Sequence, residues 1–262
     1  MGNTNKYIIL NRIPPGGFGN KLFTYNFAFQ LATKTGKKVS YIEDEDLNIF
    51  KLKMQNHYKK NFFISKKINL EKINKIQQEN LKEVLESKNL KIKYPVLGES
   101  FFQISFEDPK KLFVIEPINS FNDTCAVHFR GGDFFTWNSN AILKTEYYIN
   151  AIEKIIPQGE IEIFSDDWSL DSIKEFENYL TQKKYKFRRN NNTDFKKAFA
   201  EMASCESIIS CPSTFGIWAG ILGKSKRIIH SKKWINQRVE YGDKFWVDLR
   251  NGGNKYYSSE EV

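Results

Sequence analysis

From residue 125 onward, short apolar runs alternate with amphipathic stretches, and this alternation constrains the fold more than any other feature of the chain. Cys125-Ala126-Val127-His128, Ile161-Glu162-Ile163-Phe164, Ile208-Ile209 and Arg227-Ile228-Ile229-His230 have the length and apolar character of buried strands. Between them lie helical patterns. Residues 146–156 group Tyr148, Ile152 and Ile155, and the next stretch groups Leu170, Ile173, Phe176 and Leu180. Residues 194–204 form a further helix, and another begins at Ser213 and includes Trp218 and Leu222. Strands separated by helices close through crossovers, which predicts a parallel sheet covered on both faces.

The first half carries a smaller version of the same pattern. Tyr7-Ile8-Ile9-Leu10 reads as a buried strand that ends at the glycine-rich turn Pro14-Pro15-Gly16-Gly17-Phe18-Gly19-Asn20. A helix follows with Phe23, Phe27 and Leu31 on one face, then a strand over 37–42. Residues 70–87 are expected to form a charged amphipathic helix, and 112–115 a short strand. The fold class expected is therefore α/β, with two Rossmann-like lobes and a cleft between them. The lobes are set at 1–120 and 121–262. No internal repeat or low-complexity linker interrupts this reading.

Composition narrows the class. The 262 residues are 40% hydrophobic and 15% aromatic, with 22 Phe and 12 Tyr, enough to bury a core and far from a disordered chain. The three cysteines, Cys125, Cys205 and Cys211, form no C-x-x-C pair, which argues against a disulfide scaffold or a zinc site and for a reducing compartment. Residues 1–6 are polar, without the apolar centre of a signal peptide. A soluble, cytoplasmic chain is expected. Three histidines far apart, with no H-E-x-x-H, calcium loop or phosphate-loop motif, lead to the expectation of no metal site.

The net charge of +9 is concentrated. Residues 51–93 hold 12 Lys and 4 Glu but no Arg. Three readings stay open: a solvated helical face, attraction to an anionic membrane surface or lipid-linked acceptor, and nucleic-acid binding. The last ranks lowest because nucleic-acid contacts normally enlist arginine. The partner set expected excludes nucleic acid and admits peripheral contact with the inner membrane face.

The residues that carry chemistry sit at strand ends. In His128-Phe129-Arg130-Gly131-Gly132-Asp133, a strand enters a glycine loop. Glycine lets backbone approach a ligand closely, and the guanidinium fork suits phosphate oxygens. Strand-end loops of open α/β sheets are where ligands bind. His128 and Arg130, two residues apart, should lie on one side of the sheet, and the arginine should favour a neutral imidazole. Asp133 either orients Arg130 or caps the next element. Ser213, Thr214 and Phe215 begin a helix, where Ser213 is either an ordinary N-cap or part of a phosphate seat, and both can hold. Ser165-Asp166-Asp167 lies at another strand tip, as a ligand site or as the N-cap of a helix starting near Trp168. The turn with Gly17, Gly19 and Asn20 offers either a tight connection or N–H groups for an anion, with Asn20 as cap or ligand contact. It lacks the dinucleotide spacing, and the reading finds no acidic residue of the required kind after the second strand.

Taken together these segments resemble the glycosyltransferase family 11 fucosyltransferases. Gly16-Gly17-Phe18-Gly19-Asn20-Lys21-Leu22-Phe23 is similar to the family's G-G-L-G-N-Q-L-F, and His128 to Asp133 to its H-x-R-R-G-D. Phe164-Ser165-Asp166-Asp167 matches F-S-D-D, and Ser213-Thr214-Phe215-Gly216-Ile217-Trp218-Ala219 is similar to S-T-F-S-W-W-A. The resemblance implies a glycosyltransferase-B fold, GDP-fucose as donor, a glycan acceptor, no metal requirement and inversion at the anomeric carbon. It implies that Arg130 binds the donor diphosphate, His128 the nucleotide, Ser213 and Thr214 the phosphates, and that Asn20 lies near the reacting sugar. Asp133 and Asp166 are the candidate bases. Two positions depart from the pattern. The second arginine of the motif is Gly131, and the acid that reads guanine is replaced by Ala198, with Asp194 one helical turn earlier. The alternative to an enzyme is a non-catalytic nucleotide- or glycan-binding module of the same fold, or a transferase for another nucleotide sugar.

Overall fold

The computed structural model describes residues 6–58, 66–68, 89–92, 108–116, 121–137, 139, 142–231 and 259–261. The chain divides into two compact units, Met1–Val114 and Ile115–Val262. The helix expected over 70–87 and most of the lysines of 51–93 lie outside the described residues.

In the N-terminal unit, β1 (Tyr7–Leu10) leads into α1 (Phe18–Thr35) and β2 (Lys38–Tyr41). A 3-10 turn at Glu45–Ile49 precedes β3 (Phe50–Leu52), and β4 (Lys66–Ile68), β5 (Asn89–Ile92), α2 (Pro109–Leu112) and β6 (Phe113–Ile115) follow. The main sheet has the order β2-β1-β5-β4, and every pairing in it is parallel. β3 pairs with β6, and the boundary between the units falls within β6. Helix α1 ends where Gly36 takes the left-handed conformation, φ 63°, and donates its N–H to Ala32 O, the usual glycine solution to a helix C-terminus. Its residues from Leu22 to Ala32 are buried on every side, Phe29 stacking on Phe113 at 5.2 Å between ring centroids.

The C-terminal unit is built on β7 (Phe121–Phe129), followed by α3 (Phe134–Trp137), α4 (Thr145–Ile155), β8 (Ile161–Ser165), α5 (Asp171–Gln182), β9 (Phe187–Arg189), α6 (Phe195–Ser204), β10 (Cys205–Ser210), α7 (Thr214–Leu222), β11 (Arg227–His230) and β12 (Ser259–Glu261). The sheet order β12-β11-β10-β7-β8-β9 is parallel throughout. Alternation along β7 and β8 divides the two faces. Cys125, Val127, Phe129, Ile161 and Ile163 join one core with Tyr148, Ile152, Ile173, Phe176 and Leu180 of α4 and α5. Phe129 stacks on Tyr148 at 3.7 Å. The intervening residues, Ala126, His128, Glu162 and Phe164, therefore project to the opposite face. All three cysteines are free and buried. No helix among the described residues is long and apolar enough to cross a membrane.

Candidate functional site

Arg130 stands one residue past the end of β7. Its Nη1 pairs with Asp166 Oδ2 at 2.7 Å, its Nη2 with Asp133 Oδ1 at 2.5 Å, and its guanidinium lies 5.2 Å from the Phe134 ring centre. Asp166 comes from the tip of the neighbouring strand β8 and also accepts the Gly131 N–H at 2.9 Å. The turn is made by Gly132 at φ 40°, where an added Cβ would collide with Asp166 Oδ2. Gly131 is confined as well, because a Cβ there would sit 3.0 Å from Asp167 Cβ and 3.1 Å from both Leu170 methyls. A larger side chain needs those neighbours to give way, which accounts locally for glycine in the place of a second arginine.

The Ser165-Asp166-Asp167 tip is not the helix cap that one reading allowed. Helix α5 begins at Asp171 with Leu170 as its N-cap. Ser165 Oγ instead closes a local turn, accepting the Asp167 N–H at 3.0 Å and donating to Asp167 O at 2.9 Å. Asp167 accepts from the Ser169 hydroxyl at 2.6 Å and its N–H at 2.9 Å, and these bonds hold its carboxyl below the usual range.

His128 is buried, 5% exposed, on the side of β7 facing α7. Its Nδ1 lies 3.6 Å from Cys211 Sγ, and its ring centre lies 5.7 Å from that of Phe215. Gly216 makes room for this packing, since a Cβ there would fall 2.7 Å from His128 Nδ1. Burial, then the charge of Arg130, push the imidazole pKa down to about 3, so it is neutral at working pH, as the sequence suggested. The β7–β10 register sets Ser210 opposite His128, so the chain leaves β10 beside the Arg130 loop and turns into α7. Ser213 caps that helix by accepting the Phe215 N–H at 3.3 Å.

Asp194 is the N-cap of α6, accepting the Lys196 N–H at 2.9 Å, and is exposed. One turn on, Ala198 precedes Phe199, whose ring meets Phe215 edge-on at 5.2 Å. In the N-terminal unit Gly17 is the N-cap of α1, extended at φ −66°, ψ 168°, and the Lys21 N–H closes the first turn onto Gly17 O at 3.1 Å. Gly19 and Asn20 are therefore inside the helix, and Asn20 is not its cap.

Two clusters went unread in the sequence. Asp44, three residues past β2 in the acidic run Glu43-Asp44-Glu45-Asp46, is buried and accepts from Tyr25 Oη at 3.1 Å and Lys21 Nζ at 3.3 Å. An acid does follow the second strand, and α1 already engages it. Glu162 lies in mid-strand with Ile161 and Ile163 beside it. It is buried and meets Arg188 Nη2 at 2.9 Å and Asn190 Nδ2 at 2.8 Å, while the same amide reaches Glu201 Oε2 at 2.6 Å. A carboxylate within an apolar run was the signal, since a buried charge demands partners. Among the described residues, no group of three or more His, Cys, Asp or Glu is placed to hold a metal ion.

The family model of glycosyl transferase family 11 matches residues 113–244, half of the chain and nearly all of the C-terminal unit's strands. The chain belongs to glycosyl transferase family 11. No curated protein matches it. Solved fucosyltransferases share its architecture. POFUT1 in complex with GDP-fucose gives a TM-score of 0.53 at 12% identity, covering 86% of this chain and 96% of that one. Fucosyltransferase NodZ from Bradyrhizobium gives 0.51 at 12% identity, covering 84% and 93%. A mutant of Arabidopsis thaliana FUT1 in complex with GDP gives 0.56 at 12% identity, covering 89% and 72%. At such identities the likeness is one of fold, and the fold is of the glycosyltransferase-B type. Within this family 11 chain, the C-terminal unit gathers His128, Arg130, Gly132, Asp133, Ser165, Asp166, Ser213, Thr214 and Phe215 on the tips of three adjacent strands. Gly17, Gly19 and Asn20 belong to the other unit.

Proposed function

We propose that the chain is an inverting fucosyltransferase that moves fucose from GDP-fucose to a glycan hydroxyl, in an α-1,2 linkage, during surface polysaccharide or glycan synthesis. The observation that carries this is the arrangement around β7. A guanidinium stands at the strand tip, a neutral imidazole lies beneath it, and the N-terminus of α7 begins beside it. Arg130, the hydroxyls of Ser213 and Thr214 and the N-terminal end of α7 would take up charge on the diphosphate as the bond from the anomeric carbon to its oxygen breaks. The acceptor hydroxyl attacks the opposite face of that carbon, and its proton passes to a carboxylate, Asp133 or Asp166. Asn20 keeps the role the resemblance gives it, near the reacting sugar, and Gly17 and Gly19 are assigned to substrate binding. Asp194 is assigned to the base. The C-terminal unit is read as the nucleotide-sugar side and the N-terminal unit as the acceptor side, where the lysines of 51–93 would favour a lipid-linked glycan at the inner membrane face. With Arg130 and the helix end supplying the positive potential, catalysis is assigned no metal.

One observation favours a second reading, a non-catalytic binding module: Gly131 replaces an arginine, and both arms of Arg130 are held in ion pairs. Incubation with a panel of nucleotide sugars, with and without glycans, tests the assignment. GDP-fucose should be consumed, and UDP-sugars left intact. Consumption of a UDP-sugar in preference would move the protein to another donor class, and binding of GDP-fucose with no turnover would make it a module.

A further inference from the structure

Among the described residues, Arg130 faces several carboxylates. Asp133 and Asp166 both pair with it, and Asp167, whose carboxyl is held below its usual range, flanks the same turn. A diphosphate approaching Arg130 competes with the carboxylates already paired to it. It gains the guanidinium only if a carboxylate gives up its place.

The two paired carboxylates are not equivalent. Asp166 is fixed from a second strand, because its Oδ1 accepts the Gly131 N–H at 2.9 Å while its Oδ2 holds Arg130. Its side chain is 30% exposed. Asp133 is 65% exposed and comes from Arg130's own loop, three residues on. An exposed pair of that kind is worth little and exchanges readily. We propose that Asp166 is a positioning residue that fixes the guanidinium, and that Asp133 is a displaceable counter-ion standing where a donor phosphate oxygen binds. Donor binding then swaps a carboxylate for a phosphate on Nη2 and releases Asp133 beside the bound diphosphate. The carboxylate is freed for proton transfer only when a donor is present. This rests on the reading that Arg130 seats the diphosphate.

Calorimetric titration of GDP and inorganic pyrophosphate into wild type, Asp133→Asn, Asp166→Asn, Asp166→Glu and Arg130→Ala tests it. Removing a negative charge next to Arg130 would, by Coulomb attraction alone, tighten anion binding in both Asn variants. The proposal gives opposite signs. Asp133→Asn should bind pyrophosphate about two- to fivefold tighter, the range of an exposed ion pair. Asp166→Asn, which keeps an oxygen for the Gly131 N–H, should bind roughly tenfold weaker, with Asp166→Glu recovering part of the loss. Unchanged or weaker binding by Asp133→Asn overturns the exchange, and that exposed position decides it even if an Asp166 variant fails to fold. Tighter binding by Asp166→Asn overturns the positioning role. If Arg130→Ala binds both ligands as wild type does, the diphosphate assignment itself has failed. If it loses them while Asp133→Asn fails to tighten, only the exchange has failed.

Discussion

His128 shows how a single side chain joins packing to chemistry. Enclosed by Cys211, Phe215 and Gly216 and set near Arg130, its ring titrates only near 3. A neutral imidazole adds no charge to the site, and its Nδ1 is already turned to Cys211 Sγ. The cost appears in acid. Above the unfolded value near 6.5 both states are neutral and stability is complete. As pH falls below it, the unfolded chain takes up a proton that the native state refuses until about 3. At pH 5 the loss should reach about 2 kcal/mol. Thermal melts between pH 7 and 5 should show the wild-type midpoint falling, and His128→Gln falling less. Parallel curves would place the acid sensitivity elsewhere. The neutral ring is legible in the sequence, because the neighbouring arginine is visible there. The Arg130–Asp166 pair is not, because its partners lie 36 positions apart and meet only through the β7–β8 register.

At the scale of elements, legibility followed burial. The central strands β7, β8 and β10 and the helices between them announce themselves by apolar period, because both faces of a parallel sheet are covered. The edges do not. β9 is Phe187-Arg188-Arg189, three residues with two exposed charges, and β12 is Ser259-Glu260-Glu261. Short charged strands at an edge discourage pairing with other chains, and the same polarity hides them from a search for apolar runs. Helix α6 links the two scales. Phe199 touches Phe215, which touches His128, so the helix bearing Asp194 and Ala198 is packed onto the site it is proposed to serve. Asp194 also caps that helix, and the two roles separate by substitution. Asp194→Ala should cost about 1 kcal/mol of stability through the lost cap, whereas Asp194→Asn should keep the cap. If Asp194 reads guanine, both variants lose the preference for GDP over UDP in calorimetric titration. A preference retained by Asp194→Asn would leave Asp194 as a cap alone.

For the whole molecule, two parallel sheets on one chain give two sets of strand ends, each with a glycine-rich turn. The second set is the more developed, with six strands and the match to family 11, and it carries the cation. The first offers a helix N-terminus at Gly17 and the Lys21–Asp44–Asp46 ion pairs. The general α/β plan was readable because each strand and helix obeys its own period. The wiring of the site was not, because its ion pairs join residues far apart in the chain that meet only once β7 and β8 lie side by side.

The proposed mechanism rests on one arginine at the tip of β7, which stabilises a departing nucleotide diphosphate. Turnover of GDP-fucose, followed as GDP release in buffer containing EDTA, tests it with wild type and Arg130→Ala side by side. The Asp133 pair is exposed and the Asp166 carboxylate keeps its bond to the Gly131 N–H, so the variant should remain folded. Wild type should turn over despite the chelator, and the variant should lose on the order of 10²-fold or more. A folded Arg130→Ala protein with near-normal turnover, or a wild type silent in EDTA and restored by magnesium or manganese, would contradict it.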